Sequence, residues 1–306
     1  MDLPNLPLPD FVIAGAPGAG TTFAHESLRQ HPGICMPIRK ELHHFCPDLD
    51  SGSDADGGFF TRTEAEYRSF FSPARPDQRT GEASPWYLYS REAPLLLRAA
   101  NERIRVIVML RDPVEIVRYV HSRRVQNGNE DLERLEDALD AEAARRRGER
   151  IPAGAWNLPG LQYREHGRYA THLARYLAAI PREQLLLLVF DDLVADSRAL
   201  YQRMVRHIGP AGDLEPDDLA PTNRRAEVRS RSLQRLLRSR AVAGPVRRLA
   251  PVGLRERARL FARRLNSRHA ERAEIAPDVR ASLRAEFRPD VEWLSGVLGR
   301  DLTSIW

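Results

Sequence analysis

The sequence predicts an α/β fold, a central parallel sheet flanked by helices. Three observations carry this. Phe11-Val12-Ile13-Ala14 is an apolar run that leads directly into a glycine-rich loop and a helix start. Val106 to Leu110 and Leu185 to Phe190 are further apolar runs of strand length. Near-continuous hydrophobic runs suit strands covered on both faces, and strands alternating with helical stretches suit a parallel sheet.

In order, Phe11–Gly15 is the first strand. Gly15, Gly18 and Gly20 let the backbone turn sharply and approach an anion closely. Thr21 and Thr22 open a helix (Thr22–Gln30) whose free N–H groups and positive dipole end face that anion. His31-Pro32-Gly33 stops it. Short strands are expected at Ile34–Met36 and Arg79–Glu82, and longer ones at Arg105–Leu110 and Leu185–Phe190. Helices are expected at Arg91–Asn101, Val114–Asn127, Glu130–Arg147, Leu161–Ile180 and Ser197–His207. Asp48 to Gly58, rich in Asp, Ser and Gly, is either a lid or a solvated loop. Residues 210–275 join an acidic turn (Asp213 to Asp218) to an Arg-rich stretch with helices expected at Ser232–Arg240 and Leu254–Leu265. They read as a helical acceptor-binding cap or as an insertion with solvated faces. With no internal repeat or low-complexity linker, 1–306 reads as a single domain.

With 306 residues, 42% hydrophobic and 29% charged, the chain can bury a large core. It has no run of 18 apolar residues, so no membrane span is expected, and Met1 to Asp10 lacks the pattern of a secretion signal. A cytoplasmic protein is the expectation. Cys35 and Cys46 are too few for a disulfide scaffold. The net charge of +5 fits an anionic ligand as well as a polyanion partner. The Arg-rich stretch 224–272 holds one aromatic, Phe261, which argues against base stacking, and no specific nucleic acid partner is expected. Of 47 basic residues, 46 are arginine and Lys40 is the one lysine. The skew fits a high-GC, bacterial coding background. A lysine retained against it fits a place where a compact ammonium works and a guanidinium fork does not, or it is chance.

Gly15-x-x-x-x-Gly20 has the spacing of a Walker A loop, but Thr21 stands where the lysine belongs. That points to a phosphate-bearing ligand and away from ordinary NTP hydrolysis. Arg111 ends an apolar strand, where open α/β sheets bind ligands, and its fork suits phosphate. An ion pair with Asp112 or Glu115 is the alternative.

The loop Gly15 to Thr22 resembles the 5′-phosphosulfate loop, Gly-x-x-Lys-x-Gly-Thr-Thr, of sulfotransferases that use 3′-phosphoadenosine 5′-phosphosulfate (PAPS). Five further segments resemble that family in order: Lys40 to Phe45, Gly81 to Leu88, Val106 to Glu115, Gly167 to Leu193, and Leu298 to Trp306. The similarity is greatest to the bacterial and heparan-sulfate-type branch. Two positions depart. The family's loop lysine falls at Gly18, and a serine of its 3′-phosphate segment falls at Tyr119.

The resemblance implies a P-loop-like sulfotransferase fold and sulfuryl transfer from PAPS to a hydroxyl or amine of a small-molecule, sugar or natural-product acceptor, releasing 3′-phosphoadenosine 5′-phosphate (PAP). No metal is expected. It places Pro17, Gly18, Ala19, Gly20, Thr21 and Thr22 on the 5′-phosphate, and Arg111 and Tyr119 on the 3′-phosphate; core packing is the alternative for Tyr119. Glu41 becomes the general base, suited to it if burial raises its pKa toward neutrality. The alternative is a partner for Lys40 or Arg39. His43, two residues on in an extended segment, faces the same side and orients the acceptor or shares the proton. Lys40 or Arg39 is expected to replace the cation missing at Gly18. Glu82, Ser84 and Trp86 line the acceptor site, or form a rigid turn around Pro85. Two other readings remain: a degenerate PAPS or PAP binder with little transfer, and a basic polyanion binder.

Overall fold

The structure, a computed structural model, describes residues 7–53, 56, 58–212, 216, 219, 227–228, 267–268 and 274–306. Five strands, β1 (Phe11–Ile13), β2 (Ile34–Cys35), β3 (Arg79–Ala83), β4 (Arg105–Leu110) and β5 (Leu185–Val189), form one sheet in the order β2-β3-β1-β4-β5. Every pair is parallel. The α-helices of the described residues are α1 (Thr21–Leu28), α2 (Glu64–Ser69), α3 (Ala93–Ala100), α4 (Pro113–Asn127), α5 (Leu135–Asp140), α6 (Glu142–Arg146), α7 (Tyr169–Ala179), α8 (Phe190–Ala195), α9 (Ser197–Ile208) and α10 (Pro277–Leu298).

Phe11, Val12 and Ile13 of β1, and Val106 to Leu110 of β4, are fully buried, as their apolar runs require. The chain visits β2 and β3 on one side of β1, then crosses to β4 and β5 on the other. The carboxyl end of β1 is therefore a topological switch point, where such sheets open a ligand crevice.

The chain divides into two compact units. The first, residues 1–119, 164–222 and 277–306, contains the whole five-stranded sheet. Within it α10 docks on α7. Glu286 pairs with Arg164 (3.0 Å) and Arg168, and Asp290 accepts from the Ala170 N–H (2.9 Å). The second unit is residues 120–163 and 223–276. There the buried Glu130 accepts both Arg145 nitrogens (2.7 and 2.8 Å) and the Tyr163 hydroxyl (2.5 Å). Burial alone would raise its carboxyl, but these partners bring it down to about 2. Strands β6 (Glu227–Val228) and β7 (Ser267–Arg268) pair antiparallel.

The expected strands and the helices on either side of β4 are present. The helix expected over Glu130–Arg147 is instead α5 and α6. That over Leu161–Ile180 starts only at Tyr169, after two 3-10 turns, Pro159–Leu161 and Arg164–Gly167. Gly167 is a poor helix former inside that stretch. Helices α2, α8 and α10 lie where the sequence raised no expectation. The cap expected over 210–275, with its helices at Ser232–Arg240 and Leu254–Leu265, lies almost entirely outside the described residues. Among the described residues no helix is long and apolar enough to cross a membrane.

Candidate active site

Every expected site residue lies in the first unit. The loop after β1 turns at Gly18 (φ 79°) and Gly20 (φ 94°), left-handed conformations that favour glycine. Gly20 is the N-cap of α1 and supplies no side-chain cap, so the first N–H groups of the helix face the loop. Pro17 and Ala19 are buried, Thr21 is buried and Thr22 is exposed.

Lys40 reaches this helix start. Its Nζ lies 3.1 Å from Thr21 Oγ1 and 3.1 Å from Glu41 Oε1. Arg39 points elsewhere, donating to the Gly58 carbonyl and lying over the Phe70 ring at 5.5 Å. Of the two expected replacement cations, only Lys40 stands at the loop.

Arg111 Nη1 donates to the Gly18 carbonyl at 3.0 Å, and its guanidinium lies 4.4 Å over the Phe190 ring. Tyr169 OH donates to the Arg111 carbonyl at 2.6 Å and fixes the backbone there. The expected ion-pair alternative is present but long, 3.7 Å to Glu115. That carboxylate is satisfied at shorter range by Arg118 (2.5 Å) and Arg280 (3.2 Å). Three guanidiniums thus surround one carboxylate, with Asp112 and Asp191 also facing Arg111. Tyr119 presents its ring to Gly18: a Cβ added there would meet ring carbons at 2.5 to 2.8 Å.

Glu41 and His43 are brought together, though not by an extended segment. Both adopt left-handed φ, 66° and 50°. The Glu41 N–H donates to the Ala83 carbonyl at 2.9 Å, which ties the segment to the end of β3. His43 Nε2 stands 3.9 Å from Glu41 Oε2, too long for a hydrogen bond. Burial pushes the Glu41 carboxyl up, but the Lys40 ammonium outweighs it and holds the pKa well below the usual carboxylate range. The rise toward neutrality expected for a base is therefore found elsewhere, at Glu82. Burial lowers the His43 pKa despite Glu41, so the ring is neutral. Its nitrogens are buried without a hydrogen-bond partner, and the ring stacks on Phe59 at 4.1 Å. His44 packs, stacked on Tyr67 at 4.4 Å with Nδ1 2.9 Å from the Thr61 carbonyl.

Glu82 is 1% exposed and Ser84 is fully buried, so neither lines an open surface as expected. Trp86 is half-buried and meets Phe59, Tyr89 and His166 edge-on. Burial raises the Glu82 carboxyl to about 7, more than its hydroxyl donors Ser84, Tyr87 and Tyr67 lower it. Sequence reasoning also missed His25 of α1. It lies 3.0 Å from the Pro37 carbonyl under the Lys40 segment, and burial, reinforced by Lys40, lowers its pKa to about 4. The 48–58 loop is pinned where it is described. Arg62 holds Asp50 (2.6 Å) and Asp56 (2.9 Å), and Asp48 accepts from Ser90 Oγ (2.5 Å) and the Arg91 N–H (2.8 Å).

A glycine-turned loop at a strand–helix junction, a strand-end arginine and a carboxylate beside a lysine stand on a sheet of the P-loop-like class. Residues 8–219 match the sulfotransferase domain, and the chain belongs to that family. It is similar to the mouse (Mus musculus) heparan sulfate glucosamine 3-O-sulfotransferase 3B1, 27% identical over 204 residues, 66% of this chain and 46% of that protein. It is also similar to the membrane-associated sulfotransferase kil1 of Dictyostelium discoideum, 29% identical over 108 residues, 35% of this chain and 21% of that protein. The chain thus spans less than half the length of these curated relatives. The crystal structure of a sulfotransferase from Alicyclobacillus acidocaldarius superposes with a TM-score of 0.71 at 25% identity, covering 97% of this chain and 98% of that one.

Proposed function

We propose that the protein transfers a sulfuryl group from PAPS to a hydroxyl, or an amine, of a small-molecule or carbohydrate acceptor. The observation that carries this is the position of Lys40, whose ammonium bridges the helix start at Thr21 and the carboxylate of Glu41. One cation thereby touches both the anion cradle and the candidate base. The residues fit the donor: glycines at φ 79° and 94° open the cradle, and Arg111 stands beside it.

When bound, PAPS supplies an activated sulfuryl group on a phosphate leaving group. The N–H groups of the loop and α1, with the Thr21 and Thr22 hydroxyls, hold the 5′-phosphate. Lys40 offsets the charge that builds on it. Arg111 holds the 3′-phosphate, with the Tyr119 hydroxyl as a further donor. Glu41 takes the acceptor proton as the new S–O or S–N bond forms and the bond to the leaving phosphate breaks. His43, neutral, orients the acceptor. Positioning and charge stabilisation carry the rate, as in phosphoryl transfer.

Calorimetry with PAP, PAPS and ATP tests the donor site, and release of PAP with candidate acceptors tests transfer. PAP binding that Arg111→Ala removes, with weak ATP binding, is expected. Failure to bind PAP overturns the reading; binding without PAP release from any acceptor favours the degenerate binder.

A further inference from the structure

The Glu82 carboxylate faces the segment that carries the reaction centre. Ser84 Oγ donates to it at 2.6 Å and Tyr87 OH at 2.5 Å, with Tyr67 OH at 3.4 Å. A hydroxyl whose proton is committed to a carboxylate offers its lone pairs to other donors. Ser84 Oγ accepts from the His43 N–H at 3.0 Å, and Tyr87 OH accepts from the N–H groups of His44 (3.1 Å) and Phe45 (3.3 Å). Three consecutive backbone donors thus end, through two hydroxyls, on one buried carboxylate. The same segment holds Glu41 and His43 at φ 66° and 50°. Side chains rarely adopt that region, and it persists only where the surroundings over-determine it.

We infer that Glu82 is a positioning residue: its ionised carboxylate orients the Ser84 and Tyr87 hydroxyls, which hold the strained 41–45 segment and so aim Glu41 and His43. This rests on the reading of Glu41 and His43 as the groups that meet the acceptor. Protonating Glu82 turns one of its oxygens into a donor. One hydroxyl then loses its acceptor, and the N–H groups that lean on it lose their fixed partner. The groups facing Glu82 are Ser84 beyond β3, Tyr67 of α2, Tyr87, Tyr176 of α7, Cys46 and Lys40, and Lys40 brings the opposing charge. Burial, which raises its pKa to about 7, puts the change of state near neutral pH.

The test is Glu82→Gln in the full chain, which keeps the shape and removes the titration. In the wild type, the backbone amide resonances of His43, His44 and Phe45 should titrate together with a midpoint near 7. kcat should fall on the acid side with the same midpoint. In Glu82→Gln both titrations should vanish, with kcat lowered ~10–10²-fold, the scale of a small misplacement, and KM for the donor unchanged. A variant that keeps the wild-type kcat and pH profile overturns the inference, as does a wild type whose amides do not titrate near neutrality. If Glu82→Gln fails to fold, Ser84→Ala and Tyr87→Phe decide. Separate shifts, of His43 in the first and of His44 and Phe45 in the second, support it; identical shifts in both overturn it. A wild type that neither binds PAP nor transfers overturns the functional reading instead, and the amide titration still decides for Glu82.

Discussion

The ring of Tyr119 lies against the α-carbon of Gly18, so close that a Cβ at that position would meet its Cγ at 2.5 Å. The two departures from the family pattern are therefore one feature. A side chain at residue 18 and a ring at residue 119 compete for the same space, and Gly18 also holds φ 79°, which side chains adopt at a cost. Removing the lysine and enlarging the serine are complementary changes.

Gly18→Lys alone should then lower both the melting temperature and PAP affinity. Gly18→Lys combined with Tyr119→Ser should recover most of the loss. A double-mutant cycle on melting temperature and kcat should give a coupling of ~0.5–3 kcal/mol, the range for residues in contact. Additive effects would break the pairing.

Lys40→Ala should reduce kcat by ~10²–10³, the usual cost of removing one donor aimed at developing charge. PAP affinity should change far less, because Arg111 and the loop N–H groups remain. Steady-state kinetics beside calorimetry separates the two; a wild-type kcat in the variant would remove Lys40 from the chemistry.

Glu41 is held ionised by Lys40, with its pKa well below the usual carboxylate range. A base must be deprotonated to act, so its own acid limb should fall below that range. Once the limb near neutrality is removed by Glu82→Gln, kcat should stay flat through mildly acid pH. Glu41→Gln should cost ~10²–10⁴ at every pH.

Acid should destabilise the fold before it protonates any ordinary carboxylate. Burial lowers the pKa of His25 and of His172 from 6.5 to about 4, so the unfolded chain takes up protons first. Their contribution is complete above pH 6.5 and is lost as pH falls from there toward 4. The loss is on the order of 3 kcal/mol each at the acid end. Urea unfolding at pH 7.5 and pH 5 measures it, and His25→Gln should flatten the slope.

The glycine-rich turn, the strands β1, β4 and β5, and the strand-end position of Arg111 were legible because each is written in contiguous residues. Lys40 and Glu41 were legible as a pair for the same reason. Their geometry was not: an extended segment would also have set Glu41 beside His43, whereas the chain does it with two left-handed residues. The role of Glu82 was hidden because its network joins Ser84 to His43 and Tyr87 to His44, pairs 41 and 43 residues apart that the sheet brings together. The Tyr119–Gly18 contact was hidden likewise, since separate readings of the two positions score each as a deficit.

Lys40 is also the chain's one side-chain primary amine, its side chain 17% exposed and its ammonium 3.1 Å from the helix start at Thr21. Electrophiles that spare guanidinium, such as aldehydes and isocyanates, meet no competing ε-amine elsewhere on the surface. Modification of an ε-amine in this protein therefore falls on one residue, beside the glycine-rich loop. If PAPS binds as proposed, it should shield that nitrogen from such electrophiles.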